Sequence, residues 1–363
     1  MLHFINLPTP VTIPHNERET SMLTFTIGID GKLTCDQTKT VYDLKSIEKL
    51  QFSSGTTIEV VCSDCLLRIN ESWAVMFSII WVELNSLSIP QKCFATTLML
   101  NDEFHVNLCC MVELPDLVAH CRLISRPDSN HDNQFLLIFP KSLPPILFSV
   151  EPSKLKRIFN FSETFPELED LVPSGTVIRS SFIQNELFRF NVLGLDTGFV
   201  TISIYDIKDK ALLKRCNLRF ACSITVAEFL PTSKEDSQRL LISSAMGPAA
   251  IWRCLVKSST GRMETKKSLW ESHCQLEFTL QGSQKYDSVN CASVIDKNRI
   301  FIGTYKGKVL VYEIPSLVLE RPMEITLSNS LTVDGAVFAI KEASVNSLTA
   351  LTSDGAFSIT NGS

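Results

Sequence analysis

Ile300-Phe301-Ile302-Gly303-Thr304-Tyr305-Lys306-Gly307-Lys308-Val309-Leu310-Val311-Tyr312 is a hairpin written in full. A short apolar run ends in a glycine. Two or three turn residues follow, closed by a second glycine, and then a run that alternates in polarity. The second glycine supplies the positive φ that a tight turn demands, and the first permits close approach by a neighbouring segment. The same pattern stands at Phe25–Leu33 around Gly28 and Gly31, at Asn191–Val200 around Gly194 and Gly198, and at Leu351–Ile359 around Gly355. Two copies place proline at the turn, Leu240–Trp252 through Pro248 and Leu136–Val150 through Pro144 and Pro145. The strand Met76–Val82 fills a seventh position between the first copy and the Pro144 copy.

Outward from these hairpins the chain is short apolar runs bounded by Gly, Asp, Asn, Ser and Pro, which is how an all-β domain reads. Phe199–Tyr205 alternates, whereas Gln134–Phe139 is continuously apolar, as expected where a sheet is covered on both faces. The strands that follow the turns lie near 33, 80, 147, 201, 251, 310 and 358, about 47 to 67 residues apart. A four-stranded propeller blade takes about 40–50 residues, and loop insertions supply the rest. The sequence therefore predicts a single domain over residues 1–363, an all-β propeller with WD40-like or FG-GAP-like blades. Seven blades are favoured and six are the alternative. In the seven-bladed reading the segment Leu2–Leu7 closes the ring by adding to the last blade. A helix is expected over Phe165–Leu171, with Thr164 as its N-cap and acids in its first turn. Pro231–Gln238 and Lys257–Ser272 read as exposed insertions.

Of the 363 residues 45% are hydrophobic and 20% charged, which is ample for a large core and excludes disorder over most of the chain. The net charge of −5 carries no clustered positive excess, so no nucleic-acid partner is expected. Met1–Pro14 lacks the basic start and apolar stretch of a signal peptide, so the twelve cysteines are expected to be reduced, small and buried. The longest apolar run, Ala74–Leu84, is too short for a transmembrane span. The chain is expected to be cytoplasmic.

Chemistry is sparse. Cys62 and Cys65 form a Cys-x-x-Cys pair with no second half-site at zinc spacing and no redox setting, so they read as two residues of a β region. None of the six histidines lies in a recognisable nucleophile setting, and no Gly-x-Ser-x-Gly elbow or phosphate loop occurs. Asn101-Asp102-Glu103 and Glu169-Asp170 read as turn and helix-end residues. The loop at Asp296 holds one acid beside Lys297 and Arg299, too few oxygens for calcium. No catalytic, cofactor or metal site is expected, and the chain reads as a non-enzyme. Interaction candidates are the basic run Lys154, Lys156 and Arg157 together with Trp252, Trp270, Tyr286 and Tyr305, the aromatic and arginine side chains that dominate interfaces. A second basic run, Arg262–Lys267, reads as a solvated loop.

Five blocks carry a family resemblance. They are Phe165-Pro166-Glu167-Leu168, Leu193–Val200, Leu241–Ile251, Tyr286–Cys291 and Gly303–Leu310. In order and spacing they are similar to the kaptin family between about Phe135 and Ile314. That resemblance implies a propeller that pairs with the integrin-alpha FG-GAP repeat containing protein 2. In KICSTOR, with the seizure-threshold protein, such a pair recruits the GATOR inhibitory complex to lysosomes and represses the target-of-rapamycin kinase pathway when amino acids are scarce. It also implies an alternative, association with filamentous actin at lamellipodia and stereocilia. Two departures stand out. The family's basic helical tail has no counterpart before Ser363, and its residual acidic loop in the penultimate blade is reduced to Asp296.

Overall fold

The computed structural model describes residues 11–360 apart from 17–18, 36–39, 47–55, 70–72, 104, 126–133, 152–153, 169–174, 231–235, 259–269, 283–287, 297, 316–320 and 345–346. Statements below concern the described residues. The Leu2–Leu7 segment expected to close the ring lies outside them.

Twenty-eight strands make seven sheets. The first contains β1 (Val11–Asn16), β2 (Glu19–Ile27), β3 (Lys32–Cys35) and β4 (Thr40–Asp43). The second contains β5 (Thr57–Ile69), β6 (Trp73–Leu84), β7 (Pro90–Asn101) and β8 (Val106–Leu114). β9 (Val118–Ser125), β10 (Gln134–Pro140), β11 (Ile146–Glu151) and β12 (Lys154–Ile158) form the third. β13 (Val177–Gln184), β14 (Phe188–Leu195), β15 (Phe199–Asp206) and β16 (Ala211–Arg219) form the fourth. The fifth has five strands: β17 (Ile224–Leu230), β18 (Ser237–Ser244), β19 (Ala250–Ser258), β20 (Trp270–Leu280) and, added in parallel at its edge, β24 (Met323–Ile325). The sixth is β21 (Val289–Asp296), β22 (Arg299–Thr304), β23 (Lys308–Glu313) and β25 (Asn329–Thr332). The last is three-stranded, β26 (Val337–Ser344), β27 (Ser347–Thr352) and β28 (Gly355–Thr360). Five sheets are thus four-stranded meanders, the blade unit of a propeller.

Two compact units divide the chain. One holds residues 1–161 with 339–350 and 356–363, the other 162–338 with 351–355. In the first unit, Phe25, Ile27 and Leu33 pack with Val75, Phe77 and Trp81 of the second sheet. On the other face of that sheet Met76, Ile80 and Ala95 pack with Leu136, Ile138 and Phe148 of the third. The second unit repeats the arrangement. Val192, Val200 and Ile202 meet Ile224, Leu240 and Ile242, and Val226, Leu241 and Ile251 meet Val289, Ile300 and Ile302. Alternation puts odd and even residues on opposite faces, so a sheet with apolar neighbours on both sides buries both sets. All seven residues of β10 and all eight of β14 are accordingly buried. Trp81 is fully buried, stacks on Phe94 at 4.5 Å and donates its indole N–H to Thr96 Oγ1 at 2.9 Å, so its polar atom is satisfied.

Three local expectations need correction. Met76–Val82 belongs to β6, the second strand of its sheet, not to the strand after a turn. The turn it precedes, Asn85–Ile89, contains no glycine; Ser88 takes φ 58° there. The helix expected over Phe165–Leu171 is instead one α-helical turn, α1 (Phe161–Thr164), then a 3-10 turn at Pro166–Leu168. Pro166 restricts the residue before it, which pushes Phe165 out of the helical region. Gln238, read as part of an exposed insertion, is a buried residue of β18.

Candidate interaction surfaces

The outer strand of the third sheet collects the basic run. Along β12, Leu155 and Ile158 are half-buried, whereas Lys154, Lys156 and Arg157 point into solvent. Its register on β11 sets Lys154 opposite Glu151, and their charges meet at 3.1 Å. Lys156 has no ion-pair partner among the described residues. Just beyond the strand the guanidinium of Arg157 lies over the ring of Phe159, 5.3 Å from its centroid, and Phe159 is 81% exposed. An exposed large aromatic with an arginine stacked on it joins two residue types that are enriched at interface cores. We expect Phe159→Ala to shift folding stability by less than about 0.5 kcal/mol, because little burial is lost. Thermal denaturation of the variant checks this.

Turns between second and third strands present further apolar side chains. In the first unit these are Ile29, Leu87, Ile89 and Leu143; in the second they are Met246 and Tyr305. Leu87 is 76% exposed at the tip of a turn held rigid by one side chain. Asn85 Oδ1 accepts from the backbone N–H of Leu87 at 2.9 Å and of Ile89 at 3.0 Å, and the Ser88 N–H donates to the Asn85 carbonyl at 2.9 Å. A leucine fixed in this way loses little freedom on contact with a partner. Neither Phe159 nor Leu87 was marked by the sequence.

The other sequence candidates are placed as follows. Gly31, Gly198 and Gly307 have φ of 82°, 86° and 75°. A Cβ on Gly194 would lie 2.6 Å from Ile224 Cγ2, and one on Gly303 would lie 2.5 Å from Val337 Cγ1, so these two glycines admit the first strand of the next sheet. A Cβ on Gly28 would instead meet Asp30 Oδ1 at 2.6 Å. Gly355 opens β28. Trp252 is half-buried against the Val192–Ile242 cluster, a packing position and not an open surface. Trp270 begins β20, opposite Ser258. Tyr286 and the run Arg262–Lys267 lie outside the described residues. Tyr305 is 49% exposed in the β22–β23 turn.

Cys62 and Cys65 belong to different cores: Cys62 packs between the second and third sheets, Cys65 against the cluster of the first and second. Facing opposite ways, they do not chelate one ion together. No group of three His, Cys, Asp or Glu suited to a metal occurs among the described residues. The twelve cysteines are free thiols, five buried and seven half-buried. Burial pushes the Cys93 and Cys291 thiols up to about 12. The unfolded chain releases these protons near the ordinary thiol value, and the folded chain retains them. Stability is therefore unaffected below that value and falls as pH rises from about 9 toward 12. Urea midpoints at pH 8 and pH 10.5 should differ in that direction.

Two buried ion pairs escaped the sequence. Arg189 in β14 grips Glu167 with both arms of its guanidinium, Nε to Oε1 at 2.6 Å and Nη2 to Oε2 at 2.8 Å. Asn191 adds a bond to Oε1 at 3.1 Å, Arg215 Nη2 donates to the Glu167 carbonyl at 2.7 Å, and Arg189 also donates to the Thr164 carbonyl at 2.8 Å. The rings of Phe165 and Tyr205 lie 4.5 and 5.1 Å from the same guanidinium. The Phe165–Leu168 block is thus a clasp that pins the linker entering the fourth sheet. In the fifth sheet Arg239 grips Glu277 at 2.8 and 2.9 Å and donates to the Pro315 carbonyl at 3.3 Å.

Against known proteins, a family model described as KICSTOR complex protein kaptin matches residues 155–356, more than half the chain. Among solved structures, the crystal structure of the β-propeller domain of Cps50 (Swd1) from Myceliophteria thermophila is similar. It has 12% identity, a TM-score of 0.50, and 99% of each chain covered. At that identity the likeness speaks for the fold alone, an all-β propeller. No curated protein matches. Within the described residues no helix is long and apolar enough to cross a membrane.

Proposed function

This chain belongs to the kaptin family, and on that premise we propose that it is a non-enzymatic scaffold subunit of a KICSTOR-type complex. In this reading it pairs with an FG-GAP repeat propeller and, with the seizure-threshold protein, helps recruit the GATOR inhibitory complex to the lysosomal membrane. Its output is repression of the target-of-rapamycin pathway when amino acids are scarce. We further propose that the blades number seven, one per sheet.

The observation that carries the reading is the family match over residues 155–356. The physical setting agrees with a docking role. Three of the blocks that resemble the family are spent on structure, Phe165–Leu168 in the Glu167 clasp and Leu193–Val200 and Gly303–Leu310 in the glycine turns. Contact surface is left to side chains that the fold does not use. The strongest of these is the Arg157–Phe159 pair with Lys156 beside it. Affinity purification of the tagged chain from its native cell should recover the FG-GAP propeller, and repeated absence of that protein counts against the proposal. The combined variant Arg157→Ala/Phe159→Ala should weaken capture about tenfold or more while leaving the thermal midpoint in place, since hot-spot side chains each contribute about 2 kcal/mol or more.

The exposed charges of β12 favour one second reading, association with an acidic filament such as actin. Co-sedimentation that weakens steeply with salt supports it, because exposed charges are screened at physiological ionic strength.

A further inference from the structure

Three thiols from two neighbouring sheets converge in the second unit. Cys254 in β19 stands directly opposite Cys274 in β20, with the two sulfurs 3.6 Å apart. Cys216 in β16 comes from the fourth sheet and packs with Cys274 against the same apolar cluster. The two strands are clamped there, because Ser272 Oγ donates to the Leu213 carbonyl at 3.2 Å. Cys254 is fully buried, whereas Cys274 and Cys216 are half-buried. The cluster thus has two half-buried thiols and, in contact with Cys274, a third that is fully protected.

We propose that Cys274 and Cys254 are a peroxide-responsive pair, Cys274 reacting first and Cys254 resolving it into a reversible cross-strand disulfide. The chemistry balances without any group beyond a hydroperoxide. The Cys274 thiolate attacks the peroxide; an S–O bond forms, the O–O bond breaks, and the leaving oxygen takes a proton to depart as water. The Cys254 sulfur then attacks Cys274; the S–S bond forms, the S–O bond breaks, and the hydroxide leaves with the Cys254 proton as a second water. Two thiols lose two electrons and one peroxide becomes two waters.

The surroundings suit these roles. Cys274 is held below the usual thiol range, first by its sulfur contact with Cys254, then by the nearby charge of Lys214 and the neighbouring Cys216 thiol, against the opposing effect of burial. That raises its thiolate fraction, and the thiolate is the nucleophile. Cys254 is held well above that range by its contact with Cys274 and by burial, so it stays protonated until a sulfenic acid forms beside it. Opposed residues on antiparallel strands hold their Cβ atoms about 4.5–5.5 Å apart, while a disulfide asks about 3.5–4.5 Å. Closure therefore needs only a small inward shift.

The test treats the purified chain with hydrogen peroxide, blocks the remaining thiols with N-ethylmaleimide, and maps peptides without reduction. The expected product joins the Cys254 and Cys274 peptides with loss of about 2 Da and is reversed by dithiothreitol. In Cys254→Ser, dimedone should label Cys274; in Cys274→Ser, the cross-link should vanish. The proposal is overturned if Cys274 remains a free thiol at a peroxide dose that oxidises half-buried Cys109 or Cys222. It is equally overturned if the wild-type link joins Cys274 to Cys216 in place of Cys254.

Discussion

Glu167→Ala should cost the protein about 3–5 kcal/mol of stability, because it leaves the Arg189 guanidinium buried without its counter-charge. The pair is almost wholly removed from water, 5% exposed at Arg189 and 0% at Glu167, so solvent offers no compensation. The loss is not confined to one bond. Asn191 and Arg189 both lose their acceptor, and Arg189 keeps only the Thr164 carbonyl and the faces of Phe165 and Tyr205. Against a total of about 5–15 kcal/mol for a folded domain, such a loss leaves a large unfolded fraction. The double variant Glu167→Leu/Arg189→Met should recover most of it, since a buried ion pair and an apolar pair of similar size differ much less. Urea titration of the three proteins reads both effects, and a cost under about 1 kcal/mol for Glu167→Ala would contradict the clasp.

The second large effect is at a turn. Gly198→Ala should destabilise by about 2–4 kcal/mol, the sum of an unfavourable positive φ and an overpacked contact. At Gly198 φ is +86°, and a Cβ would sit 2.6 Å from the Phe220 carbonyl oxygen and 2.7 Å from that of Cys222. Both obstacles are backbone, which cannot swing aside. Gly282 provides the comparison, because its φ of +77° is similar and a Cβ there meets nothing within 4 Å. Gly282→Ala should therefore cost only about 1 kcal/mol. Equal costs at the two positions would show that backbone angle alone sets the requirement. Gly307 resembles Gly198, its Cβ site facing the carbonyls of Val333 and Gly335.

The glycine turns made the fold legible, because a positive φ beside a close approach is a local demand that the sequence must answer locally. The seven marked positions fall in seven different sheets. Where the demand was met another way, the reading slipped. Ser88 takes a positive φ with Asn85 bracing it, so no glycine marked the β6–β7 turn and the strand before it was placed one step out. Long-range contacts left no local trace. Glu167 reads as one acid among several until the fold brings Arg189 to it from 22 residues away. The parallel addition of β24 to β20 joins three-residue Met323–Ile325 to a strand more than forty residues earlier, with no pattern of its own. For the surface, the basic residues of β12 were visible as a run of charge. Phe159 and Leu87 were not, because exposure of an apolar side chain is decided by what fails to pack on it.

The central claim is that this propeller is a docking subunit, and its most direct test is co-elution. The full chain and the FG-GAP propeller, expressed together and passed over a sizing column with light scattering, should emerge as one complex at a mass above either protein alone. Separate peaks, from a chain that unfolds cooperatively on heating and is therefore folded, would contradict it.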